Sequence, residues 1–271
     1  MEQFLEFILS FFEKLSAFFL AFLAALGIGN VTPEEPAISQ TTVFSIGIYD
    51  TIRAVEGGCT DGRYVYQILI DPDAEKDATP CKILKIDSTD WKTVTVSETL
   101  NIDHANDVTY DSTQNLLLVS NNIPNYTTVT AVDPLTLTVK STYTLPQKIY
   151  SIVYVGSKDC YYAGISKTYN IVQFSKNFEE LGTIEGINSG YTRQGIESDG
   201  AYLYCIFYKE NTIYKYDFEG NYQGRCVLPD TANEAENMFF LGGNLYVGYN
   251  IIGKTTGGFI AKVENAKYTK D

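Results

Sequence analysis

Ile83-Leu-Lys-Ile-Asp87, Val129-Thr-Ala-Val-Asp133, Ile171-Val-Gln-Phe-Ser175, Ile213-Tyr-Lys-Tyr-Asp217 and Ile260-Ala-Lys-Val-Glu264 can be written one above another. They recur every 42 to 47 residues. Each is an apolar-x-x-apolar strand that ends in an acidic or hydroxyl turn residue. Five copies at that period mark one supersecondary unit repeated around an axis.

A second strand precedes each copy: Tyr64-Val-Tyr66, Leu116-Leu-Leu118, Tyr161-Tyr162, Leu203-Tyr204 and Leu245-Tyr246. Each follows a turn rich in Gly, Asn and Asp, such as Thr60-Asp-Gly62 and Ser198-Asp-Gly200, residues that tolerate the positive φ of hairpins. A fourth strand follows the acidic turn in four units, at 94–96, 140–143, 181–184 and 222–225. After Glu264 too little chain remains for one, but the alternating Val43-Phe-Ser-Ile-Gly-Ile-Tyr49 is unassigned. This predicts an all-β, five-bladed β-propeller over residues 42–271, closed by an N-terminal strand in the last blade so that no edge is left open.

Residues 1–29 read differently. Phe4, Ile8, Phe11, Leu15, Phe18 and Phe22 follow helical spacing, with Gln3, Glu6, Ser10 and Glu13 opposite, and residues 30–41 read as a linker. Three readings fit this helix. A cleaved signal matches the apolar run after Lys14, though three Glu against one Lys reverse the usual charge. A membrane span needs about 20 apolar residues and would have to draw in Glu13 and Lys14. A helix lying on a membrane surface, or against a partner or a second copy through residues 3–29, has no such cost. The helix therefore points to membrane association, or to oligomerisation, without indicating a cellular side.

Composition narrows the partners. With 20 Lys and Arg against 33 Asp and Glu, the chain carries a formal charge of −13, and no basic stripe gathers, which excludes nucleic acid. Five cysteines without a Cys-x-x-Cys pair disfavour a disulfide framework and a zinc cage. Gly248-Tyr-Asn-Ile-Ile-Gly-Lys-Thr255 has the letters of a phosphate-binding loop but leads into a strand where that chemistry needs a helix. Asp71-Pro-Asp73-Ala-Glu75-Lys-Asp77 lacks the glycine and final glutamate of a calcium loop and reads as a solvated acidic loop.

Aligned from their following turns, the innermost strands place Glu56, Asn106, Tyr150, Gln194 and Glu236 in one column and Gly57, Asp107, Ser151, Gly195 and Asn237 in the next. A third column, Gly58, Val108, Ile152, Ile196 and Met238, is mostly apolar and predicts packing between blades. Polar residues at the head of every inner strand converge on the axis. The candidate cup for a small polar ligand is thus Glu56, Asn106, Asp107, Tyr150, Arg193, Gln194, Glu236 and Asn237, with His104 and Glu234 as neighbours and Asn121, Lys167, Tyr208 and Tyr249 on loops. Solvation of an axial channel would account for the same polarity. Functionally, Glu56 and Glu236 stand in neighbouring blades, so they could hold a divalent cation or divide acid and base roles. Arg193 could fix an anionic oxygen.

Arg193-Gln-Gly-Ile-Glu-Ser-Asp-Gly-Ala-Tyr-Leu-Tyr204 resembles the inner hairpin of the plant-type glutaminyl cyclotransferases, which are five-bladed, and Glu236-Asn-Met238 is a weaker echo. Such hairpins also occur in NHL-like and lactonase-like propellers, and the likeness spans about one blade in five. That family's pocket is known for tryptophans, whereas this chain has only Trp91, near an outer strand. Two functions follow as expectations: a non-catalytic propeller that binds a ligand or protein and is tethered by its helix, or an enzyme, cyclotransferase-like or a carboxylate-based hydrolase or lyase, that uses the acidic cup.

Overall fold

A computed structural model of the chain describes residues 14–15, 36–74, 79–252 and 257–270. The chain divides into two units, 1–37 and 38–271. In the first, Lys14 and Leu15 are helical and exposed, and the remainder of the predicted helix lies outside the described residues. Among the described residues no helix is long and apolar enough to cross a membrane.

Among its described residues the second unit has twenty strands in five four-stranded antiparallel sheets. The first sheet holds β2 (Ala54–Thr60), β3 (Tyr64–Ile70), β4 (Cys81–Asp87) and β5 (Val94–Val96); the second holds β6 (Ala105–Asp111), β7 (Leu116–Asn121), β8 (Thr128–Val132) and β9 (Val139–Thr144). The third holds β10 (Ile149–Val155), β11 (Cys160–Ile165), β12 (Ile171–Phe174) and β13 (Glu180–Ile184); the fourth holds β14 (Arg193–Ser198), β15 (Leu203–Phe207), β16 (Thr212–Tyr216) and β17 (Tyr222–Val227). The fifth runs β18 (Glu234–Leu241), β19 (Asn244–Asn250) and β20 (Gly258–Glu264), and β1 (Ser39–Ile46) pairs with β20 as its outermost strand. β1 starts inside the segment expected to be linker, because Ser39–Thr41 already pair with Glu264–Lys262.

The turn residues explain why the units end where they do. Asp87, Asp133, Ser175 and Asp217, which close the repeated strand, each accept backbone N–H groups from the next few residues and so bend the chain into the outer strand. Asp61, Asp111 and Asp199 do the same in the inner hairpins, and Gly62 and Gly200 beside two of them have φ of 96° and 88°.

The core is divided among the blade junctions. One apolar cluster joins each adjacent pair of blades, including the fifth with the first, where Ile46, Phe239, Tyr246 and Ile260 meet Val55, Val65, Leu69 and Leu84. Val108, Ile152, Ile196 and Met238 of the apolar column lie in these clusters, as their pattern predicts. Trp91 stacks on Tyr246 at 5.3 Å in the last junction, away from the axis. All five cysteines are buried and free.

One polar group ties the second and third blades together. Asp111, fully buried, accepts hydrogen bonds from Tyr161 Oη, Gln114 Nε2, Thr113 Oγ1 and Lys176 Nζ. Burial alone would raise its carboxyl, but these donors, Lys176 first, bring it below the usual aspartate range. A depressed carboxyl contributes stability above its unfolded value and loses it as pH falls. Asp111→Ala should cost about 3–5 kcal/mol, since it leaves the lysine and tyrosine facing a gap, and should remove the acid-dependent part of the loss; guanidinium denaturation at pH 7 and pH 3 measures both.

Candidate functional site

The pairing of each inner strand with its neighbour slips at one place, and it is the same place in all five blades. The register breaks between Val55 and Gly58, Ala105 and Asp107, Ile149 and Ser151, Arg193 and Gly195, and Ala235 and Asn237. The extra residues are Asn106, Tyr150, Gln194 and Glu236, with Glu56 and Gly57 together in the first blade. The polar column read from sequence is therefore a ring of β-bulges, which lift these side chains out of the alternating pattern and aim them at one space.

That space is a cavity of about 430 Å³ at one end of the axis. Glu56, Asn106, Tyr150, Gln194 and Glu236 all line it, together with His104, Glu234 and Tyr208. The bulge residues are bonded to one another across the ring. Gln194 Nε2 donates to Glu236 Oε2 at 2.7 Å, Asn106 Nδ2 donates to the Gln194 carbonyl at 3.2 Å, and Asn122 Nδ2 donates to Asn106 Oδ1 at 3.1 Å.

Charge is unevenly shared. Glu236 is 4% exposed, and burial pushes its carboxyl well above the usual glutamate range; the charges of Glu56 and Glu234 push the same way, against the hydrogen bond from Gln194. His104 Nε2 lies 3.5 Å from Glu56 Oε1. Burial pulls the imidazole down, yet the hydrogen bond and charge of Glu56 outweigh it and the net change is upward. Tyr208 is pushed up to about 12 by burial, then by its bond to Glu234. The cup thus gathers three glutamates, the most buried of which has its carboxyl pushed well upward, and one histidine.

Three residues predicted for the cup do not line it. Asp107, 2% exposed, sits beneath it and accepts the backbone N–H groups of Val108, Ile152 and Ile196. Asn237 donates to the Glu56 carbonyl and to Gln67 Oε1, joining the last blade to the first. Arg193 turns away and donates to the carbonyls of Tyr169 and Asn170. The reason is the strand period. Asp107 and Asn237 follow a bulge residue and Arg193 precedes one, so they point between backbones rather than into the opening.

The loop residues show the same one-step effect. Asn121 and Tyr249 are buried in their strands, whereas their successors Asn122 and Asn250 line the cup. Tyr208 lines it as expected, and Lys167 belongs to an adjoining cavity. Ile123, shortly after β7, and Thr79 and Thr192, just before β4 and β14, also line the wall without having been flagged by the sequence. Asp71 also lines the rim; its carboxylate accepts from Thr51 Oγ1, and Asp73 pairs with Arg53 at 2.7 Å. Among the described residues no three His, Cys, Asp or Glu come together in an arrangement that could hold a metal ion. Gly248-Tyr-Asn250 ends β19, which pairs antiparallel with β20, a hairpin and not a strand-loop-helix.

No protein-family model matches this sequence, and no curated protein matches it. Solved structures do. The glutaminyl cyclase of Myxococcus xanthus superposes with a TM-score of 0.60 at 9% identity, over 84% of this chain and 98% of that one. A calcium-binding protein, regucalcin, from Agrobacterium tumefaciens gives 0.53 at 11% identity, over 84% and 96%. The chain is a five-bladed β-propeller. At such identities the likeness is one of fold, and it agrees with the resemblance carried by Arg193–Tyr204.

A further acid, the half-buried Glu197, lies at the other end of the inner strands, beside Cys59 and Thr109, and burial lifts it to about 8. The carboxyls of Glu197 and Glu236 are thus raised in the folded chain above the ordinary glutamate value of 4.5. The folded state then binds more protons than the unfolded one, so stability falls as pH rises from about 4.5 toward 8. The slope approaches about 1.4 kcal/mol per pH unit for each group that stays protonated. Glu236→Gln and Glu197→Gln should each flatten part of this decline in denaturation midpoints between pH 5 and 8; a Glu236→Gln profile parallel to the parent's would mean that this carboxyl is ionised in the fold.

Proposed function

We propose that the cup is the acid–base site of an enzyme acting on a small substrate with an amine and an amide, the cyclotransferase-like alternative among the sequence expectations. The observation that carries the proposal is Glu236, buried and with its carboxyl pushed well upward by that burial, in one cavity with Glu56 and Glu234. Two carboxyl groups whose surroundings push them apart can serve as acid and base at once. Glu56, with His104 beside it, takes the proton from an attacking amine; Glu236 delivers one to the departing nitrogen. In cyclisation of an N-terminal glutamine, the amine nitrogen bonds to the side-chain carbonyl carbon, the original carbon–nitrogen bond breaks, and ammonia leaves. Proton loss from the amine and gain by the leaving group balance, so no cofactor is required.

The acidity of the wall suits a cationic or hydrogen-bond-donating head group, and Asn106 and Asn122 offer amides to its carbonyls. The shared fold with a glutaminyl cyclase and the hairpin resemblance support the same substrate class. A tether through residues 3–29, part of the scaffold expectation, falls outside the described residues apart from Lys14 and Leu15 and carries no part of this proposal.

The test is ammonia release from N-terminal glutaminyl peptides by the full chain. Glu236→Gln and Glu56→Gln should each lower the rate about 10²- to 10⁴-fold, with melting temperature kept or, for Glu236→Gln, raised. Ammonia release that survives both substitutions would overturn the assignment, as would its absence from the parent protein.

A further inference from the structure

We propose that the cup opens into a basic annex that takes the anionic end of a dipolar ligand, so that the substrate is an amino-acid or short-peptide derivative with a free carboxylate. The proposal rests on the acid–base assignment for the head group and adds a binding site for the tail.

A second cavity of about 180 Å³ adjoins the cup, and Tyr150 and Thr192 line both. Two loops wall it: the one after β11, with Lys167, Thr168 and Tyr169, and the one before β14, with Gly190 and Tyr191. Arg193 fixes the first loop, because its guanidinium donates to the Tyr169 and Asn170 carbonyls and lies 5.6 Å over the Phe207 ring. Tyr169 stacks on the same ring at 6.3 Å. The wall is thus held rigidly from behind, while Lys167 and Tyr191 stay exposed toward solvent.

The sign of the charge sets this space apart. Glu56, Asp71, Glu234 and Glu236 line the cup; among the described residues the annex is lined by Lys167 and Arg193 and by no carboxylate. In a chain of net charge −13, a cationic pocket directly beside an acidic one is a matched pair of fields. Arg193 contributes its charge from within the wall, with its terminal nitrogens committed to carbonyls. Lys167 is the group free to meet a carboxylate. Tyr150, shared by both spaces, gives the ligand's middle an aromatic surface, backed by Tyr126 at 5.8 Å edge to face.

The probes are L-glutaminylglycine and its C-terminal amide, which share a head and differ only in tail charge. Calorimetry with the full chain should find the acid bound about fivefold more tightly than the amide, the ratio one exposed ion pair supplies. In Lys167→Met the ratio should fall to about one, and in Lys167→Glu it should invert, with affinity for the amide unchanged throughout. Rising salt should shrink the parent's preference. Equal binding of both probes, a preference that survives Lys167→Met, or no binding of either overturns the annex. Binding of both without ammonia release removes the catalytic proposal instead, and the ratio still decides the annex.

Discussion

The structure turns on how closely five inner strands can approach a common axis. Below the cup there is no room for ordinary side chains: a Cβ on Gly57 would collide with the backbone of Asp107 and Val108, and one on Gly58 with the side chain of Asn237. Asp107 occupies this constriction and accepts amides from the second, third and fourth blades, while Asn237 and Gln67 bind the carbonyls of the first. Backbone groups freed at the axis would be costly if left unpaired, so these few buried polar side chains are obligatory.

The same convergence produces the site. Each inner strand carries a bulge where it reaches the opening, and the bulge turns one side chain per blade into a shared volume. Five strands from distant parts of the chain deliver a glutamate, an asparagine, a tyrosine, a glutamine and a second glutamate to one cavity. Gln194 and Glu236, 42 residues apart in the sequence, are joined by a hydrogen bond that Gln194 Nε2 donates to Glu236 Oε2. Crowding carboxyl groups into one space works against stability and toward chemistry, because burial and neighbouring charge push the Glu236 carboxyl upward. The apolar clusters between blades offset that cost.

Most of the fold was legible before any coordinates. The acidic or hydroxyl residue at the end of the first four repeated strands is a turn-former whose hydrogen bonds the structure shows directly, and the Asp-Gly hairpins follow the same logic. The column of Glu56, Asn106, Tyr150, Gln194 and Glu236 could be aligned because identical turns count back to it. What could not be counted was the bulge. A single extra residue reverses the facing of everything on one side of it, and so Asp107, Asn237 and Arg193, polar like their neighbours, point elsewhere. Asn121 and Tyr249 went astray for the same reason, each one residue short of the side chain that reaches the cup.

By itself the sequence determined a fivefold repeat of antiparallel strands, its turns, the apolar faces that pack between blades and the strand that completes the last sheet. These are local properties, set by period-two alternation and turn chemistry within a few tens of residues. Only the tertiary structure decided which polar residues are ligand-facing and which are mortar, where a histidine meets a glutamate, and that a basic annex adjoins an acidic cup. Those facts depend on register slips and on contacts between blades, and both arise from closing the ring rather than from any segment within it.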